Sequence, residues 1–150
     1  MSHVANVEVE INDLAALKSA CAKLGIEFME GQRTYAWFDR YLADSNVGRQ
    51  TVRDGFRPED FGKCEHAIKV PGSRYEIGVV KNPRGNGYRL IYDEYGQQGK
   101  VITDRLGGTQ LTKLKSEYGA VRATRHLQRQ GYRVARRVLA NGTIKITGVQ

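Results

Sequence analysis

The chain has 150 residues, of which 40% are apolar and 27% are charged, and its formal net charge is +8. A chain of this length buries enough surface for one core without a metal or disulfide staple, and only three prolines argue against a disordered or collagen-like protein. No apolar run reaches the about 20 residues of a membrane span, and the first residues lack the pattern of a secretion signal. The length predicts a single domain over residues 1–150. Two cysteines cannot form a disulfide framework, which predicts a cytoplasmic location.

The first predicted elements form a β-α-β unit. Residues 4–11 alternate between apolar and polar side chains, which predicts a half-buried strand. Asn12-Asp13 then offer an N-cap, and leucines follow at helical spacing until Gly25, a residue typical of the position just after a helix. The three residues after Gly25 resume an extended pattern. Cys21 lies on the apolar stripe of the predicted helix, so we interpret it as a core residue.

The segment 31–63 is the least regular part of the chain. It holds an aromatic cluster that precedes a stretch of polar, turn-forming residues, and the cluster consists of Tyr35, Trp37, Phe38, Tyr41 and Leu42. Aromatic side chains interleaved with arginines can stack on nucleic-acid bases. In a chain with one tryptophan they more often complete a core, and we expect that role here.

Three further strands are predicted at 66–70, 75–80 and 88–92. The loop 81–87 joins the last two strands, and its Gly, Asn and Pro content is typical of a hairpin connection. Its successive backbone amides and two cations offer an alternative interpretation as an anion-binding loop. The spacing of a phosphate-binding P-loop is absent from it.

A long helix is predicted from Thr109, as its N-cap, to Gly131. Its early leucines and its late apolar residues fall on roughly opposite sides, so we expect the two halves to pack against different neighbours. Four cations share a solvent face turned away from the late apolar residues, and they are Lys115, Arg122, Arg125 and Arg129.

The chain closes with two β-rich runs that Asn141-Gly142 joins. This dipeptide predicts a hairpin with a type I′ turn, in which both central positions need a positive φ. Val134 and Val138 are expected on one face of the hairpin. Arg133 and Arg137 are expected on the other face, where they continue the positive surface that begins on the helix.

The order of these elements is β-α-β, three strands, then α-β-β. We predict an α+β fold with a single mostly antiparallel sheet of six or seven strands and two helices on one face of it. The near-symmetry between the two ends of the chain predicts a pseudo-duplicated, ferredoxin-like arrangement.

Positive charge is concentrated in the second part of the chain. Residues 1–60 hold seven Lys/Arg against ten Asp/Glu, whereas residues 61–150 hold seventeen against six. From Arg105 to the end there are ten basic residues and one acid, Glu117. A basic element of this kind attracts anions. A surface that only improves solubility and a patch for an acidic protein partner stay open as alternatives.

Two groupings offer chemistry. Cys64 and His66 would point to the same face of a strand and could share a metal or form a thiol–imidazole pair, but a zinc site needs about four ligands. Asp93-Glu94 and Asp104 form the only acidic grouping in the positive part, and carboxylates can act as acid and base or hold a divalent cation. We expect structural roles for both groupings, with no metal and no cofactor, and binding rather than catalysis.

Several segments of the chain together resemble the family called domain of unknown function 1257. They are Met1-Ser2-His3 before a strand, the helix 13–25, Tyr75–Gly78, Gly87–Leu90, and a closing run from Glu117 through Gln130-Gly131-Tyr132 to Lys145. The resemblance covers roughly residues 1–30 and 64–148, and relative to the short plastid-type members it implies that residues 31–63 are an irregular insertion. It implies relatives in plastids, cyanobacteria, other bacteria and tailed phages, often encoded near AAA-type ATPases, and it brings no established activity.

We therefore predict a non-enzymatic protein that binds an anionic ligand, either a nucleic acid or a nucleotide, through a basic C-terminal helix and hairpin. The predicted phosphate-binding residues are Lys115, Arg122, Arg125, Arg129, Arg133 and Arg137. Two alternatives follow from the resemblance: an accessory protein that docks on an AAA-type ATPase, and a phage protein that sequesters a nucleotide signal of host defence.

Overall fold

A computed structural model describes residues 4–37, 55 and 60–150 of the protein. The described part contains, in chain order, β1 (Val4–Ile11), α1 (Leu14–Leu24), β2 (Glu27–Met29), β3 (His66–Lys69), β4 (Glu76–Lys81), β5 (Tyr88–Asp93), α2 (Gly96–Leu106), α3 (Thr112–Arg129), β6 (Arg133–Val138) and β7 (Ile144–Val149). No helix among these is long and apolar enough to cross a membrane. Most of the segment 31–63, including Phe38, Tyr41 and Leu42, lies outside the described residues.

Five strands form one antiparallel sheet in the order β1-β5-β4-β3-β2. Since β1 and β2 lie at opposite edges, α1, which joins them, crosses the width of the sheet. The register places Ile68 opposite Ile77 and Val79 opposite Leu90, so these apolar side chains stand on one face. The predicted β-α-β opening and the three middle strands are confirmed.

All three helices contribute to the core on this one face of the sheet. Leu17 of α1, Ile102 of α2 and Leu114 of α3 are at most 1% exposed and belong to the same apolar cluster. Burying a leucine or isoleucine fully stabilises a fold by about 1.5–3 kcal/mol, so these side chains anchor their helices. The predicted α+β class, with its helices on one face of a mostly antiparallel sheet, is confirmed.

The ends of α1 follow the sequence signals. The Asp13 carboxylate accepts a hydrogen bond from the Ala16 N–H at 3.0 Å, which satisfies one of the free donors at the helix start. Gly25 ends the helix with a φ of 69°, a left-handed conformation that glycine adopts without steric cost. Cys21 is fully buried, which confirms its assignment to the core.

The opposite face of the sheet is covered by residues that flank the undescribed segment. Tyr35 and Trp37 pack with Cys64 over Ala67 in a second apolar cluster, which confirms the predicted packing role for these two aromatic residues. Gly78 of β4 makes room for the Tyr35 ring, because a Cβ at that position would lie 2.5 Å from a ring carbon. A larger residue would therefore displace the ring.

The helical part of the chain differs from the prediction in two ways. The helix α2 was not expected, because it contains two glycines and buries only Ile102 and Leu106 among its large apolar residues, which leaves a poorly marked helical period. The helix α3 begins at Thr112 and not after Thr109. The reason is Leu111, whose backbone has a φ of 51° and whose fully buried side chain holds it in that conformation.

The closing hairpin forms a separate two-stranded sheet, which corrects the predicted single sheet. Its turn also differs from type I′. The Gly142 N–H donates to the Leu139 carbonyl at 2.9 Å, and the Asn141 side chain accepts from the Thr143 N–H at 3.0 Å. Since only Gly142 has a positive φ in this turn, the loop is a three-residue connection that ends in a left-handed glycine. The ferredoxin-like pseudo-duplication is not confirmed.

Candidate functional site

The predicted site is built on α3, which packs between α1 and the β6–β7 hairpin. Leu114, Tyr118 and Val121 are buried in the main core cluster. The Tyr118 hydroxyl accepts hydrogen bonds from the backbone N–H groups of Asn12 and Asp13 at 3.1 and 3.2 Å. These bonds fix α3 against the start of α1.

The hairpin is held on the other side of α3 by an ion pair and by close packing. The Arg136 guanidinium donates to both carboxylate oxygens of Glu117, and these hydrogen bonds raise the pKa of Arg136. A Cβ at Gly148 would lie 3.1 Å from Tyr132 and 3.2 Å from Leu127, so β7 approaches the late part of α3 closely. Leu114 and Tyr118 of the early half lie in the main core, whereas Leu127 of the later half lies beside Gly148 of β7.

Three of the predicted arginines lie along α3, and we call them the helix surface: Arg122, Arg125 and Arg129. The guanidinium of Arg122 lies over the Tyr118 ring, 5.6 Å from its centre. Arg125 is half-buried and donates to the Ser19 Oγ of α1 at 2.8 Å, whereas Arg129 is exposed. The face that the spacing predicted is therefore partly turned toward α1.

The other predicted cations lie apart from the helix surface. Lys115 is half-buried nearer the start of α3. Arg133 and Arg137 project from the hairpin face opposite Val134, away from α3, and Arg137 stands directly across from Lys145. We call Arg133, Arg137 and Lys145 the hairpin surface. The positive charge of the C-terminal part thus forms two surfaces and not one continuous face.

A groove of about 320 Å³ lies between α1, α3 and β6. Its lining consists of Ser19, Lys23, Val121, Thr124, Arg125, Gln128, Val134 and Arg136. Of its three cations, only Arg125 is among the phosphate-binding residues predicted from the sequence. Lys23 lies in the acidic part of the sequence, and Arg136 alternates with the predicted outward arginines, so only the packing of three elements brings them to Arg125.

Few carboxylates offset this positive charge. From Arg105 onward the only acid is Glu117, and both of its carboxylate oxygens bind Arg136. Within the described ranges, no ion pair engages the helix surface or the hairpin surface.

Cys64 and His66 do not form a pair, which corrects the expectation that they share a face. The strand β3 begins at His66, so strand alternation does not extend back to Cys64. The Cys64 thiol lies in the cluster on the far face of the sheet, donates to the Gln32 carbonyl at 3.2 Å, and has its pKa raised to about 12 by burial. The His66 ring packs near Phe28, and its Nδ1 accepts from the Gly31 N–H at 2.9 Å.

The acidic grouping is also dispersed. Asp93 is fully buried at the end of β5, where its carboxylate accepts from the Tyr95 N–H at 3.0 Å. Asp104 is exposed on α2 and binds Lys100 at 2.6 Å. In the part of the chain that the structure describes, no group of three or more His, Cys, Asp or Glu residues could hold a metal ion.

The loop 81–87 is a hairpin connection whose polar groups bind within the loop itself. The Asn82 side chain accepts from the Arg84 N–H at 3.1 Å, and the Asn82 N–H donates to the Gly87 carbonyl at 3.0 Å. The backbone N–H groups of Asn82 and Arg84 are therefore already engaged, whereas an anion-binding loop would need them for its ligand.

Comparison with protein-family models, with curated proteins and with solved structures finds no match for this chain. The resemblance to the domain of unknown function 1257 family therefore stays a prediction.

Proposed function

We propose that the protein is a non-enzymatic binding protein for a phosphate-bearing anion, a nucleic acid or a nucleotide, and that the ligand binds the helix surface and the adjoining groove. The observation that carries this proposal is the convergence of Lys23, Arg125 and Arg136 on one groove. Three cations from three elements line this groove, and the Glu117 carboxylate binds one of them, Arg136. Arginine and lysine in such an arrangement are the usual partners of phosphate oxygens.

The repulsion between neighbouring cations supports the proposal. Arg125 lies three residues after Arg122 and four before Arg129 on one helix, and such like-charged pairs cost about 0.2–0.5 kcal/mol each. An anion bound at the helix surface would remove this repulsion, so the spacing of these three arginines supports the proposal.

A charge-reversal experiment tests the proposal. The variant Arg122→Glu/Arg129→Glu alters two exposed positions, and Lys63→Glu/Arg84→Glu is the matched control, with the same change in net charge at exposed sites outside α3 and the hairpin. Binding of a labelled DNA duplex and of labelled mononucleotides is followed by fluorescence anisotropy over a series of salt concentrations. Circular dichroism and thermal melting check that each variant is folded.

We expect the Arg122→Glu/Arg129→Glu variant to bind more than tenfold more weakly, while the control keeps most of the affinity. Each phosphate contact to a duplex contributes about 0.9 to the slope of log affinity against log salt, so the loss of two contacts lowers the slope by about 1.8. Binding that survives the double substitution with an unchanged slope contradicts the choice of this surface. If no phosphate-bearing ligand binds at all, the alternative of an acidic protein partner replaces the proposal.

A further inference from the structure

Two guanidinium groups in the groove between α1, α3 and β6 are held in place by the protein itself. Arg125 donates to Ser19 Oγ at 2.8 Å, and Arg136 donates to both carboxylate oxygens of Glu117. A guanidinium has five N–H donors, so each arginine keeps donors for a ligand. Side chains that are already ordered lose less conformational entropy on binding, which favours a specific site over diffuse attraction.

The charge of the groove matches a phosphate monoester better than a nucleic-acid backbone. Lys23, Arg125 and Arg136 carry three positive charges, and Glu117 offsets one of them. The remaining charge of +2 balances that of a monoester phosphate, which carries about −1.5 to −2 at neutral pH. A backbone phosphodiester carries a single negative charge and would leave the groove with an excess of positive charge.

The size and lining of the groove set the scale of the ligand. Its volume of about 320 Å³ lies at the lower end of the range of about 300–1,000 Å³ for small-molecule pockets. Val121 and Val134 line it with apolar surface, and Gln128 offers an amide beside them. We infer that this groove binds a small phosphomonoester of mononucleotide size, with the phosphate on Arg125, Arg136 and Lys23; the inference rests on the proposed function.

Calorimetric titration with ribonucleoside 5′-monophosphates tests the inference, with the unphosphorylated nucleosides and a DNA duplex as comparisons. The main variant is Lys23→Gln, because Lys23 is exposed and its loss leaves the core intact. Arg125→Gln is the second variant. Arg137→Gln is the matched control, since it removes one exposed positive charge from the hairpin surface, which faces away from α3.

We expect at least one monophosphate to bind and its nucleoside not to bind. Lys23→Gln and Arg125→Gln should each weaken monophosphate binding by about tenfold or more, and Arg137→Gln should leave it unchanged. Equal affinity in the Lys23→Gln variant and the wild type overturns the inference. If only the duplex binds, and does so through Arg122 and Arg129, the inference fails while the proposed function stands; if no phosphate compound binds, both fail.

Discussion

The Glu117–Arg136 ion pair is expected to respond asymmetrically to the loss of either partner. The Glu117 side chain is 10% exposed, whereas that of Arg136 is 37% exposed. Replacing Arg136 with methionine leaves a buried carboxylate without its partner. Replacing Glu117 with glutamine leaves a guanidinium that can turn toward water, so Arg136→Met should be the more destabilising change.

The solvent exposure of the Glu117–Arg136 pair also sets how much stability each substitution should cost. Breaking a fully buried ion pair costs about 3–5 kcal/mol, and exposure to solvent reduces that cost. We expect a loss of about 2 kcal/mol for Arg136→Met and of about 1 kcal/mol for Glu117→Gln. An isolated two-stranded hairpin is marginally stable at best in water, so the hairpin should open before the five-stranded sheet does.

Amide hydrogen exchange measures this effect element by element. In the Arg136→Met variant, amides of β6 and β7 should exchange faster while those of β4 keep their protection. Arg137→Met is the matched control, because Arg137 faces away from α3 and stands opposite Lys145, and it should not speed exchange in either set. The reasoning is refuted if the hairpin amides of Arg136→Met exchange at the wild-type rate, or if Glu117→Gln speeds their exchange more than Arg136→Met does.

Four further predictions concern the packing and the titrating groups. Burial raises the pKa of Cys21 and of Cys64 to about 12, so both thiols should resist alkylation in the native protein, and labelling at a rate like that of the unfolded chain would contradict this. The unfolded thiols lose their protons first, so the free energy of unfolding should fall by about 1.4 kcal/mol per pH unit per thiol as the pH rises above about 9, and Cys21→Ala/Cys64→Ala should remove that part of the fall. In urea unfolding, Gly78→Ala should lower the free energy of unfolding by about 1–3 kcal/mol, because the added Cβ meets the Tyr35 ring. Gly119→Ala is the control, since a Cβ there has no atom within 4 Å, and it should be neutral or stabilising. Equal effects of the two substitutions would contradict this packing. Tyr118→Phe removes the acceptor of two backbone N–H groups and should cost about 1–3 kcal/mol by the same measurement, so an unchanged midpoint would mean that water replaces the hydroxyl.

Local signals predicted the first half of the fold well. Alternation of apolar and polar residues marks β1, short apolar runs mark β4 and β5, and α1 has both a capping Asp13 and a terminal Gly25. The same rules missed α2, whose glycines interrupt the helical pattern. They also misplaced the start of α3, because the left-handed Leu111 is stabilised by burial in the core and not by any local preference.

The candidate site was predictable only in part. Helical spacing brought Arg122, Arg125 and Arg129 together, since residues three and four apart are neighbours on any helix. The groove depends on the packing of α1 and β6 against α3, and no sequence spacing links Lys23 to Arg136.

The most direct test of anion binding is the nucleotide content of the purified protein. The ratio of absorbance at 260 nm to that at 280 nm is measured after purification in low salt, and again after a wash in high salt. We predict an elevated ratio that the wash lowers, and a lower ratio before the wash in the Arg122→Glu/Arg129→Glu variant. The proposed function is contradicted if two results hold together. The ratio equals that of the aromatic side chains alone in both wild type and variant, and neither nucleotides nor DNA bind when they are added back.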